Sequence, residues 1–280
     1  MRLNLSIDTS SEGIFKLTRI SVYSAVLISF FFFFRVDFAG WLDLIPLSAW
    51  TPVGVTRWLL PLVELLKSPS TSWIAHVIGL AFLISTGACI VGWKWRFTSM
   101  LTLLLSLVVF GLKNSFGHAF RSESILILAQ FLMILGPGRR MSGSVLNTRE
   151  TLLLLRLLWV SMFFLSALNK LRFSGWDWAA DNFVHDYLLA NQITRAGTLA
   201  GRPFAEFAHV LIAQPIATLA IGYFVLLFEL LYPLILIKRL KIPILVGTLF
   251  FQLATFTLLG VNFLFYLPLL PIWLKETPAK

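Results

Sequence analysis

Charge is scarce in this chain. Only 13% of its 280 residues are Asp, Glu, Lys or Arg, against roughly 25% in a soluble domain. That deficit excludes an ordinary water-soluble globular protein. Cysteine is scarcer still. Cys89 stands alone inside an apolar segment, so no intramolecular disulfide, Cys-x-x-Cys centre or thiol-based quinone reductase is available. The four histidines, His76, His118, His185 and His209, are scattered. No His-x-x-x-His pattern with a third ligand occurs, and no metal is expected. A Gly-rich phosphate loop and a Gly-x-Ser-x-Gly elbow are also missing. Neither a repeat of fixed period nor a separate soluble domain is visible. No small-residue cleavage site follows the first apolar stretch, which reads as an uncleaved first span.

What the chain has is apolar bulk. Hydrophobic residues make up 58%, with 26 phenylalanines, and the mean hydropathy is +0.84. The expected fold class is an all-α integral membrane protein, a single helical domain over 1–280. Its tails are residues 1–16 and 275–280. About 20 apolar residues cross a bilayer. The apolar runs predict about seven spans, near 17–34, 72–91, 97–112, 123–136, 151–170, 215–237 and 242–262, the fourth being short. The run Phe30–Phe34 reads as lipid-facing. The last apolar run continues to about Leu274, on the order of 50 Å of helix, too long for one crossing. Gly260, Asn262, Pro268 and Pro271 are the places where it is expected to break.

The net charge of +10 would suggest nucleic acid in a soluble protein. Here it suits cytoplasmic loops, where Lys and Arg orient membrane proteins. With the N-terminus inside, the inner segments hold Arg2, Lys16 and Arg19, then Lys94 and Arg96, then Arg139, Arg140 and Arg149, then Lys238, Arg239 and Lys241. The expected orientation is N-terminus in and C-terminus out, in a bacterial cytoplasmic membrane. Membrane lipids are the expected partners, and nucleic acid is not. The segment from Arg35 to Thr71, with Trp41, Trp50 and Trp58 among prolines, reads as interfacial helices on the outer face.

Ionisable residues concentrate where the fifth span emerges, in LNKLRFSGWDWAADNFVHDYL from Leu168 to Leu188. Lys170 follows Ser166 and Asn169, and Trp176 and Trp178 come behind it as interface anchors. An amine withdrawn from water can serve as a base; a snorkelling lysine among headgroups is the plainer alternative. His118 lies in NSFGHAFRSES near Asn114, either as proton carrier or as a solvated loop histidine. Asp181 and His185 stand i, i+4 and can touch on a helix. Inside the spans, Arg156 and Glu229 have similar depths, differing by roughly 5 Å, and are expected to form a buried structural ion pair. By the same count Glu229 lies on the order of 17 Å from Lys170, out of its reach. Gln130, Gln252, Thr255 and Asn262 either bond helices together or line a cavity.

The order SALNKLRFSGWDWAADNFVHDYL, then FELLYPLILIKR, then GVNFLFYLPLL resembles the HTTM superfamily of bacterial membrane proteins, whose best-known relative is vitamin K-dependent gamma-carboxylase. Ala167-Leu168-Asn169-Lys170-Leu171 with Trp176 and Trp178 matches its helix-end motif. The resemblance implies that Lys170 is a base acting on a reduced quinone at the extracytoplasmic face. It makes His118 a second catalytic candidate, with Asn114, Asn169, Trp176 and Trp178 beside the substrate. Phe250, Phe251 and Gln252 depart from a histidine common in the family, and the carboxylase's large luminal domain has no counterpart. Two classes of function follow. One is a membrane enzyme acting on a quinone or other lipid-soluble substrate. The other is a non-catalytic membrane partner in secreted-peptide maturation or of a redox module.

Overall fold

The structure, a computed structural model, describes residues 10–34, 38–43, 59–68, 70–114, 122–136, 146–180, 184–186, 188–189, 209–258 and 264–274. Among these there is helix and no strand. The chain divides into two compact units: Met1–Arg156 with Phe265–Lys280, and Leu157–Leu264.

The first unit contains α1 (Ser11–Phe34), α2 (Phe38–Asp43), α3 (Leu60–Lys67), α4 (Trp73–Val91), α5 (Trp95–Asn114) and α6 (Ser122–Leu135). Helix α4 packs on α1, α5, α2 and α3, and α6 packs on α1 and α5. These helices are built inside out relative to a soluble bundle. Along α5 the buried face is Thr98, Ser99, Thr102 and Ser106, while Phe97, Met100, Leu104 and Leu107 are exposed. Along α4 the exposed stripe is Trp73, Val77, Leu80, Ile84 and Val91, and the buried face includes Ala75, Gly79, Ser85 and Thr86. Small residues let helices approach closely, and apolar exteriors suit a hydrocarbon solvent. The buried hydroxyls mostly bond their own helix. Thr18 donates to the Ile14 carbonyl (2.8 Å), Ser29 to Ala25 (2.7 Å), Thr86 to Phe82 (2.6 Å) and Thr102 to Thr98 (2.8 Å). Between helices, Gln130 and Ser106 share a 3.3 Å hydrogen bond.

The phenylalanine run does not face outward as a block. Phe30 and Phe34 are buried, and Phe30 stacks on Phe82 at 5.0 Å, while Phe31 is exposed. Successive helical residues turn about 100° apart, so such a run must send some rings into the core.

Among the described residues, five helical stretches are long and apolar enough to cross a membrane: Ser11–Phe31, Trp73–Val91, Trp95–Lys113, Thr148–Ser174 and Pro215–Leu236. The expected fourth and seventh spans are apolar helices too, but shorter, at Ser124–Leu135 and Lys241–Thr255. At 1.5 Å per residue, either covers less than a ~30 Å hydrocarbon core. The terminal apolar run does break. Its α-helix ends at Leu258, and Leu264–Trp273 is a 3-10 helix with Pro268 and Pro271 inside it. Proline has no N–H for an α-helical bond, and the tighter helix accommodates the gaps. Gly260 and Asn262 lie outside the described residues.

Helix α7 (Thr148–Ser174) begins in the first unit and continues into the second. A capping box starts it: Glu150 N–H donates to Asn147 Oδ1 (2.9 Å) and Asn147 N–H to Glu150 Oε2 (2.8 Å), satisfying two otherwise orphaned donors. Gly175 ends it at φ +59°, a left-handed value that favours glycine, and its N–H reaches the Leu171 carbonyl at 2.9 Å. The second unit continues with α8 (Asp177–Ala180), α9 (Pro215–Leu231), the 3-10 turn Tyr232–Leu236 and α10 (Lys241–Leu258).

Candidate functional site

Residues of α7 and α9 meet along two stripes. Trp159, Phe163, Ala167 and Lys170 follow one another at spacings of four, four and three on α7, and Leu226, Glu229 and Tyr232 at spacings of three on α9 and its continuation. These are spacings that share a helix face. Trp159 donates to the Tyr232 hydroxyl at 2.5 Å, while Ala167 packs in one core cluster with Leu226. The segments are therefore antiparallel.

At one end of these stripes, Lys170 Nζ lies 2.6 Å from Glu229 Oε2. The Glu229 side chain is 4% exposed and that of Lys170 is 19% exposed. Ser166 stands one turn before the lysine on α7. The indole of Trp178 covers the amine, with Nζ 4.3 Å from the ring centroid, close enough for the ring's negative face to attract an ammonium. An ammonium has three donors. One goes to Glu229 and another meets the indole; the third has no protein acceptor among the described residues.

Local structure explains this gathering. The Gly175 turn reverses the chain so that α8 returns Trp178 over the last turn of α7. Helix α8 can lie against α9 because residue 222 is glycine: a Cβ there would stand 2.8 Å from the Ala179 carbonyl oxygen. Ala167, Ala179 and Leu226 form the apolar floor, with Leu171, Trp178, Tyr223 and Leu230 packed on it. On the other side, Pro233 has no N–H to offer the Glu229 carbonyl. Tyr232 N–H takes that place, and the α-helix gives way to a 3-10 turn just beyond the carboxylate.

Glu229 thus pairs with Lys170, and the expected Arg156–Glu229 pair is corrected. The Nε of Arg156 instead donates to the Ile272 carbonyl at 2.8 Å. Depth counting along the backbone misjudged the reach. Helical side chains lean toward their own N-terminus. On antiparallel helices, Lys170 leans back along α7 and Glu229 back along α9, so the two side chains converge.

Of the other expected site residues whose side chains are described, only Trp178 joins the pair. Asn169 is exposed on α7, and Trp176 is 51% exposed beyond it. His118 lies outside the described residues; Asn114 ends α5, and its side chain likewise falls outside what is described. Asp181 is outside as well, and His185 Nδ1 lies 3.3 Å from Asp186 Oδ1. Among the described residues no group of three His, Cys, Asp or Glu could hold a metal.

Sequence reading missed a second polar centre in this unit. Tyr232 receives the Trp159 N–H and lies 3.0 Å from the Thr248 hydroxyl, which donates to the Ile244 carbonyl at 2.7 Å. Phe163 stacks on the Tyr232 ring at 4.1 Å. All three hydrogen-bonding side chains are fully buried. Tyr232 stands three residues after Glu229, a helix-face spacing that could have linked them in advance.

No family model matches this chain, and neither the curated proteins nor the solved structures include a match.

Proposed function

We propose that this chain is a multi-pass membrane protein of the HTTM type that removes a proton from a lipid-soluble, quinol-like substrate. Lys170 is the base and Glu229 its proton partner. The protein crosses a bacterial cytoplasmic membrane about seven times, with its N-terminus inside, its C-terminus outside and interfacial helices on the outer face. Lys170 then works near the extracytoplasmic surface, and α6 and α10 complete the set of crossings. The observation that carries this reading is the sheltered amine: Lys170 is held at 2.6 Å by Glu229, roofed by Trp178 and 19% exposed. In a poorly solvated site an ion pair competes with its neutral form. Passing a proton from Lys170 to Glu229 leaves a neutral amine, which accepts the substrate's hydroxyl proton.

A second reading draws on the same geometry. Glu229 and Trp178 already satisfy much of the ammonium, as a clamp between α7 and α9 would require. The protein is then a non-catalytic partner in secreted-peptide maturation or of a redox module. Arginine separates the two readings, because it keeps the charge and the pairing but does not lose its proton. In lipid nanodiscs, the wild type is expected to accelerate oxidation of duroquinol by dissolved oxygen over empty discs. Lys170→Arg and Lys170→Met both abolish this, with Lys170→Arg retaining the wild-type Tm. Equal rates in wild type and Lys170→Arg refute the base and leave the clamp.

A further inference from the structure

Gln252 is 1% exposed, and neither its Nε2 nor its Oε1 has a hydrogen-bond partner. Among the described residues of the second unit, no other side chain has a buried nitrogen or oxygen so unmatched. The contrast with its neighbours is sharp. Thr248 and Thr255 share its helix face at spacings of four and three, and both hydroxyls are satisfied by backbone carbonyls of α10. A buried amide without partners is costly to keep, and such a group calls for an explanation.

Its position supplies one. The Tyr232–Thr248 hydrogen bond (3.0 Å) and the stacking of Phe228 on Phe251 (5.1 Å) set an antiparallel register between α10 and the α9 segment. That register puts Gln252 level with Leu227 and Phe228, one to two residue rises, ~1.5–3 Å, from Glu229. Thr248 on the same face touches Tyr232, so this face of α10 addresses the α9 segment. Gln252 therefore stands at the depth of the Lys170–Glu229 pair.

We infer that Gln252 is a specificity-determining residue of that site, hydrogen-bonding a hydroxyl on an apolar, lipid-soluble guest. An amide offers both donors and an acceptor. A hydroxyl answers both, receiving Nε2–H and donating to Oε1, whereas an ether or a lone carbonyl leaves Oε1 unmatched. A charged guest would add an uncompensated ion to a pair that is already neutralised. Three side-chain torsions let the amide turn to the guest. The inference rests on the proposed lipid-soluble substrate, and it adds the group that selects it.

The test uses the whole protein in nanodiscs without oxygen, with tryptophan quenching as the readout. The probes are duroquinol and its dimethyl ether, which has the same ring but no O–H. The wild type is expected to bind duroquinol on the order of tenfold more tightly than the ether. Gln252→Leu and the unbranched Gln252→Met are expected to bind the two about equally, with Tm unchanged or raised because an unmatched polar group is gone. Saturable binding with no hydroxyl preference in the wild type, or a preference kept by both variants, overturns the role of Gln252 and leaves the reading of Lys170 standing. A fall in Tm in both variants shows that the amide is already engaged in the fold and overturns it too. No saturable binding by the wild type overturns both.

Discussion

Lys170 and Glu229 stabilise one another in a place where either alone would be a liability. Removing one partner from a buried pair leaves an uncompensated charge, at a cost of about 3 kcal/mol. Lys170→Met is therefore expected to destabilise the protein by about that amount. Lys170→Met with Glu229→Leu should recover most of the loss, and a double-mutant cycle from chemical unfolding in detergent checks it. Additive single effects would mean the two groups are energetically independent. The sequence showed that Lys170 was unusual but put Glu229 out of its reach and paired that carboxylate with Arg156, because position along a span says nothing about side-chain lean. It also left Trp159, Tyr232 and Thr248 unremarked. Aromatic and hydroxyl residues in apolar runs carry no mark of whether their polar atoms meet, and the 3.0 Å contact between Tyr232 and Thr248 exists only once two helices are folded together.

Among the elements, α7 was the most legible. Its apolar run marked the body, whereas its Asn-x-x-Glu start, a capping pattern, went unremarked in the sequence and is realised in full by the structure. The path after Gly175 was harder, since a four-residue helix such as α8 has no periodicity to detect. Yet α8 positions Trp178. Gly222 admits it, with a hypothetical Cβ only 2.8 Å from the Ala179 backbone oxygen. Backbone cannot step aside as a flexible side chain can, so Gly222→Ala is expected to push α8 outward at a cost of about 1–3 kcal/mol. The same change should lift the indole from Lys170 and red-shift tryptophan emission. A variant with wild-type stability and emission would show that α8 yields freely.

For the molecule as a whole, helical class and the apolar helices were readable from composition alone, because hydropathy reports the solvent directly. Of the seven expected spans, five correspond to helices long enough to cross and two to shorter apolar helices among the described residues; helix ends depend on turns that composition does not mark. The lone Cys89 is fully buried, which makes the native chain a quiet background for labelling. Lys94→Cys, in the turn between α4 and α5, is expected to react with an impermeant maleimide only after the membrane is opened, and Trp176→Cys is expected to react from outside in intact cells. Reaction of both from the same side would invalidate the proposed orientation. The buried hydroxyls of α1, α4, α5 and α10 have a further bearing on how such a chain is made. Because Thr18, Thr86, Thr102 and Thr248 bond within their own helices, these segments can leave the translocation machinery with those groups already content and wait in lipid for their neighbours. Lys170 has no such independence: its counterion arrives 59 residues later, so during synthesis the amine must linger near the headgroups or in the insertion channel until α9 emerges.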